Sequence, residues 1–220
     1  MWTRPLRRVG GVLLAVGLGD LAITIARLAA AGPYPAILDG IAIAAGLWLL
    51  WDGPRAALWV RTLAAFLLAA GVVAVIAAPL LQPLDLTLTE LRLDPIGCLA
   101  IAAPVAITLG LALWVVRELG HQPVRDAIIS AGIRRWDMRI PAQAGGGLVL
   151  LVCLMLWLAL HGQSAELATS LALQQLGPGY RYHLSWISSS GNGHGTSVRG
   201  VVTAWNDKEI RRVLLHWETR

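Results

Sequence analysis

The chain has 220 residues, of which 56% are hydrophobic and 14% charged, with a formal net charge of +5. Soluble domains carry about 25% charged residues, so the composition excludes an ordinary soluble fold and points to a protein embedded in the lipid bilayer. The positive charge is not the footprint of a nucleic-acid binder, because most of the arginines border apolar runs and topology accounts for them.

Five apolar runs are read as membrane spans, at roughly 9–31, 35–51, 59–80, 96–116 and 145–161. A run of about 20 residues crosses the hydrocarbon core of about 30 Å, so the second and fifth are at the short end. The N-terminal "MWTRPLRRVGGVLLAVG" has the basic and apolar parts of a signal peptide. Its run is longer than the usual core of about 7–15 residues and holds Asp20 and Arg27, so a retained helix is expected. Small residues recur four apart at Gly11, Ala15 and Gly19, and at Ala102, Ala106 and Gly110. That spacing lets helix backbones approach closely in a bundle.

Asp20, Arg27 and Asp39 are ionisable groups inside spans one and two, where charge is expensive, and they form the candidate intramembrane polar site. Arg27 lies seven residues beyond Asp20 on the same helix face. The favoured reading pairs Arg27 with Asp39 to lock the first hairpin, leaving Asp20 bonded to backbone or a polar neighbour. The alternative is a proton or ion relay with Asp20 as its deep member.

Between spans three and four, "PLDLTLTELRLDP" (83–95) alternates Leu84, Leu86 and Leu88 with Asp85, Thr87 and Thr89. A period of two predicts an extended strand, and these leucines are the candidate docking loop, expected to pack on the C-terminal sheet. Pro104 should kink span four. Residues 121–140 place Ile129, Ile133, Trp136 and Ile140 at helical spacing among arginines, which predicts an amphipathic interfacial helix that leaves span five apart from the bundle. Cys98 and Cys153 sit at different depths in their spans, which argues against a disulfide.

After the last span, "SAELATSLALQQLG" (164–177) reads as a helix with Ser164 as N-cap and Gly177 as its stop. Three alternating segments follow: "YRYHLSWI" with Tyr180, Tyr182, Leu184 and Trp186 on one face, "SVRGVVTAW", and "IRRVLLHW" with Val213, Leu215 and Trp217 on one face. Asn206-Asp207 turns between the last two. In that frame "SSSGNGHG" (188–195) is a hairpin tip. It has neither the G-x-G-x-x-G of a dinucleotide loop nor the G-x-S-x-G of a nucleophile elbow. His183, His194 and His216 lack metal-ligand spacing, so no metal, cofactor or catalytic residue is expected.

The arginines set the orientation. Arg4, Arg7, Arg8, Arg55, Arg61, Arg117, Arg125, Arg134, Arg135 and Arg139 fall on one side of the spans and only Arg92 on the other. The positive-inside rule then puts the N-terminus in the cytoplasm. Five crossings leave residues 163–220 in the periplasm of a bacterial inner membrane, the bacterial source being suggested by a chain whose one lysine is Lys208. The expected architecture is a four-helix transmembrane bundle (1–119), a cytoplasmic amphipathic linker (120–144), a fifth transmembrane helix (145–162) and a periplasmic α+β domain (163–220). That domain is one helix with a three-stranded antiparallel meander. The expected function is non-enzymatic: an accessory, assembly or scaffold subunit that docks a protein partner through the periplasmic domain, with the lipid bilayer as its other partner. A small proton- or ion-coupled transporter using Asp20, Arg27 and Asp39 is the alternative.

Overall fold

A computed structural model describes residues 3–29, 37–133, 137–192 and 195–219, without the side chains of 27–29, 37–39, 163, 189, 191, 192, 195, 196, 218 and 219. The chain is mostly helical, with a C-terminal three-stranded antiparallel sheet. Four helices are long and apolar enough to cross a membrane: α1 (Thr3–Ala29), α3 (Pro54–Leu81), α5 (Pro95–Glu118) and α7 (Arg139–Leu160). A fifth apolar helix, α2 (Ile37–Asp52), is shorter. Two compact units form, one from residues 1–70 and 107–145, the other from 71–106 and 146–220.

In the first unit, α1 and α2 pack as a hairpin. Glycines make the contact possible: a Cβ on Gly46 would lie 2.9 Å from the Gly10 carbonyl oxygen, and one on Gly17 would lie 2.7 Å from Ile43 Cγ1. The four-apart glycines Gly11, Gly19 and Gly110 instead have open space where a side chain would sit. The close helix approach expected of them is made one register over, by Gly10, Gly17 and Gly46. Between α2 and α3, Gly53 takes φ 54° and Pro54 opens the next helix, a turn only glycine enters without strain. The core joins Leu6, Val9 and Leu13 of α1 to Leu49, Val60 and Val115.

The same core takes up Val124 and Ile128 of the short helix α6 (Gln122–Ser130). The helix expected over 121–140 is corrected in extent, since α6 ends at Ser130. Ile129 is exposed, and Gly132 at φ 70° ends the segment before Ile140, which already belongs to α7. Trp136 lies outside the described residues. Val124, Ala127 and Ile128 are buried, and Ile133 of the expected set packs against the same core. Helix α7 begins at Arg139 rather than 145, and the backbone of Gly145 lies against Phe66 of α3, where a Cβ would approach Phe66 O to 2.4 Å. At its start, then, the last apolar helix does not stand apart from the bundle.

The second unit corrects the reading of 83–95. Residues Leu84–Leu93 are a helix, α4, with Pro83 before it, Asp85 in its first turn and Arg92 in its last. Those ends suit the helix dipole, and Leu, Glu and Arg are good helix formers. Thr87 and Thr89, which argued for a strand, give their hydroxyl hydrogens to the carbonyls of Pro83 and Asp85 one turn back. Asp94 then accepts from the Gly97 amide, capping α5. Pro104 lies within α5, and Cys98 and Cys153 are both free thiols.

Helix α8 (Gln163–Leu176) starts from Gly162, not Ser164, and has no side-chain cap; it stops at Gly177, φ 80°, as expected. The sheet runs β1 (Arg181–Asn192), β2 (Gly195–Trp205), β3 (Ile210–Thr219) in the order β1-β2-β3. Asn192 pairs with Gly195, so the serines of "SSSGNGHG" belong to the strand and only residues 193 and 194, outside the described residues, join the two. Asn206 Oδ1 accepts from the amides of Lys208 and Glu209 in the second turn.

One sheet face packs on Ala165, Ala168 and Ala172 of α8 through Leu184, Val202 and Leu215, with Tyr182, Val213 and Trp217 beside them. A bulge between Leu184 and Trp186 overturns the expected single face of β1. The extra residue, Ser185, shifts the alternation, so Trp186 leaves the helix side and pairs with Val201 on the opposite face.

Candidate functional site: a cavity under the sheet and a carboxyl within an apolar helix

The face turned away from α8 carries a polar row across the three strands, His183–Thr203–Arg212, and next to it an apolar row, Trp186–Val201–Leu214. Thr203 is buried; Trp186 is 50% and Leu214 79% exposed, enough apolar surface to call for an explanation. Strand β1 is held at the corner between α3 and α4 by two contacts from alternate residues. Arg181 pairs with Asp85 in the first turn of α4 at 2.6 Å, and His183 Nε2–H donates to the carbonyl of Leu81, in the last turn of α3, at 2.9 Å. Both use helix ends as electrostatics favours: an acid at an N-terminus, a ring N–H at C-terminal carbonyls. The Asp85 carboxyl is held below its usual range by the Arg181 hydrogen bond. Burial pushes the His183 imidazole below its usual value, only partly opposed by the bond to Leu81.

Beside this corner lies a cavity of about 560 Å³. Its apolar walls include Leu81, Leu86, Leu156 and Leu160; its polar groups are Gln82, Glu90, His183, Ser185, Thr203 and Arg212. Gln82 Nε2 donates to Glu90 Oε2 at 2.8 Å, and the Ser185 and Thr203 hydroxyls meet at 2.6 Å. Of the three docking leucines, Leu86 is buried and lines this cavity, whereas Leu84 and Leu88 are exposed. At the same end of the sheet, beside the turn between β2 and β3, Tyr180 donates to Glu209, which also pairs with Arg211 at 3.0 Å. That bond raises the Tyr180 phenol and lowers the Glu209 carboxyl.

Asp20 lines a separate cavity of about 120 Å³ within the first unit. Thr108 of α5 is the other polar side chain there; the remaining walls are apolar, with Leu13, Ile41, Leu63 and Leu111 among them. Arg27 and Asp39 fall in α1 and α2, but their side chains lie outside the described residues, so their pairing is not part of this geometry. Sequence reading singled out Asp20 by its cost in lipid and overlooked Thr108. It also overlooked Glu90 and Arg212, ordinary surface residues until a fold brings them to one cavity. His183 and His216 stand on different strands, and no group of three or more His, Cys, Asp or Glu among the described residues could hold a metal.

No family model, curated protein or solved structure matches the chain.

Proposed function

We propose that the chain is a multi-pass protein of a bacterial inner membrane that works without catalysis, as an accessory, assembly or scaffold subunit presenting its C-terminal domain to a protein partner. In this reading the membrane is crossed five times, the N-terminus is cytoplasmic and the domain lies in the periplasm. The arginine distribution supports the orientation. The observation that carries the function is the exposed row Trp186–Val201–Leu214, which leads to β3, an edge strand whose outer side has no neighbour in the sheet. An apolar row ending at an open edge suits addition of a partner's strand, with backbone hydrogen bonds for affinity and Leu214 and Trp186 as side-chain anchors.

The test is photocrosslinking in cells from a photoreactive residue at Leu214, with Gln174 on the exposed side of α8 as control. The reading expects a discrete protein adduct from 214 alone, lost when Trp186→Ser is added. Adducts from both positions alike, or from neither, would refute it.

A second reading rests on Asp20. A carboxyl facing a small cavity together with Thr108 is the arrangement a proton- or ion-coupled transporter would need at mid-membrane. Asp20→Asn would then abolish a measurable proton flux in vesicles while the protein still folds; unchanged flux removes this reading.

A further inference from the structure

We propose that the cavity bounded by the sheet and the ends of α3, α4 and α7 binds a zwitterionic phospholipid. The headgroup ammonium lies at Glu90, the phosphate at Arg212 and an acyl chain along α7. The inference shares Trp186 and Val201 with the docking row, but it is tested apart from that reading, through Glu90 and Arg212.

The cavity, about 560 Å³, lies within the range of about 300–1,000 Å³ typical of small-molecule sites. Its walls divide by chemistry. Leu156, Ala159 and Leu160 come from the last turns of α7, and Leu81 from the last turn of α3. Both helices are apolar and long enough to cross a bilayer, so this wall stands at the depth where acyl chains begin. The opposing wall is the sheet, where His183, Ser185, Thr203 and Arg212 stand beside the apolar Trp186, Ile187 and Val201. An amphiphile present at that depth matches both.

The charges select the headgroup. Glu90 and Arg212 line the same cavity, yet among the described residues neither is in an ion pair, with the other or with any third group. Gln82 fixes one oxygen of Glu90 and leaves the second for a ligand. His183 adds no charge near neutral pH, since burial keeps it neutral and its Nε2–H is spent on Leu81. One of the Ser185 and Thr203 hydroxyls donates to the other, so the acceptor's own hydrogen is left for a phosphate or ester oxygen. The site therefore offers one carboxylate, one guanidinium and a hydroxyl donor. A lipid carrying both an ammonium and a phosphate satisfies all three; a purely anionic lipid sets its charge against Glu90, and a cationic amphiphile sets its charge against Arg212.

The experiment uses the full chain in phosphatidylglycerol vesicles. Each preparation contains a trace of either phosphatidylethanolamine or phosphatidylglycerol with a photoreactive acyl chain, and adducts are mapped to peptides. Labelling of the spans serves as the internal standard. Phosphatidylethanolamine should label residues 183–187 and 201–203 about tenfold more than phosphatidylglycerol, the effect of one charge-assisted hydrogen bond. Glu90→Gln with Arg212→Gln, which leaves the cavity's shape intact, should bring the two probes to parity. Ala159→Trp, which places an indole across the α7 wall of the cavity where the acyl chain would lie, should reduce strand labelling but keep that of the spans. Equal labelling by both probes in the native chain, a phosphatidylethanolamine preference that survives the charge substitutions, or labelling confined to the helices each overturns the proposal. If Ala159→Trp fails to fold, the charge substitutions decide.

Discussion

Glycines that look alike in sequence differ by what stands opposite them. Gly46 faces the Gly10 carbonyl oxygen so closely that a methyl group must move backbone, whereas Gly19 faces open space on the same hairpin. Gly46→Ala should therefore lower thermal stability in detergent, by about 1–3 kcal/mol as for other overpacked sites. Gly19→Ala should be neutral or slightly stabilising, because alanine is the better helix former. Equal effects would mean that the α1–α2 contact does not limit stability. His183 gives a pH dependence whose sign is fixed by its environment. Burial lowers its folded pKa, so the unfolded chain binds the extra proton first. The stability it contributes is complete above its unfolded pKa of about 6.5 and is lost as pH falls through the lower folded value. The melting temperature should drop on acidification below about pH 6.5, and His183→Gln should flatten that part of the curve. A profile unchanged by the substitution would show that the imidazole does not hold the corner.

At the scale of elements, α4 shows how two periods can share one sequence. Leucines at 84, 86, 88, 91 and 93 satisfy alternation nearly as well as helical spacing, and two threonines tipped the reading toward a strand. A lone strand between two helices has no ladder to join, while a helix satisfies its own backbone. The helix buries Leu86 and leaves Leu84, Leu88 and Leu91 outside, a spacing of four and three along one exposed face. Leu86→Asp should thus expose the C-terminal domain to limited proteolysis near Gln163, and Leu88→Asp should not. The reverse order would mean that α4 is rotated about its axis. The long apolar helices, α8 with its Gly177 stop and the three strands were legible because each has one dominant period and clear stop residues. The β1 bulge was not, because one inserted residue leaves composition unchanged and moves Trp186 to the other face. Nor was the cavity, which assembles Glu90 and Arg212 from residues 122 positions apart (212 − 90).

For the whole molecule the decisive quantity is the number of crossings, and α2 decides it. Its 16 residues rise about 24 Å, short of the roughly 30 Å hydrocarbon core. The apolar run 35–51 begins two residues before the helix. Glycines bring α1 and α2 into backbone contact over about two turns of α1, from Gly10 against Gly46 to Gly17 against Ile43. A segment paired so closely with a spanning helix can thin the bilayer locally at modest cost, which is how short apolar helices are accommodated. If α2 crosses, five passes put the two termini on opposite sides, and the arginine-rich connections at 53–61 and 117–139 stay cytoplasmic. If it turns back within one leaflet, the four long helices remain, the termini share a side, and the segments 53–61 and 81–95 exchange sides relative to the N-terminus. A reporter fused after Arg220 should be active only in the periplasm, and one fused near Ala131 only in the cytoplasm. Cytoplasmic activity after Arg220 with a cytoplasmic N-terminus would establish four crossings. It would also return the sheet, with its open β3 edge, to the cytoplasm, where a periplasmic partner could not reach it.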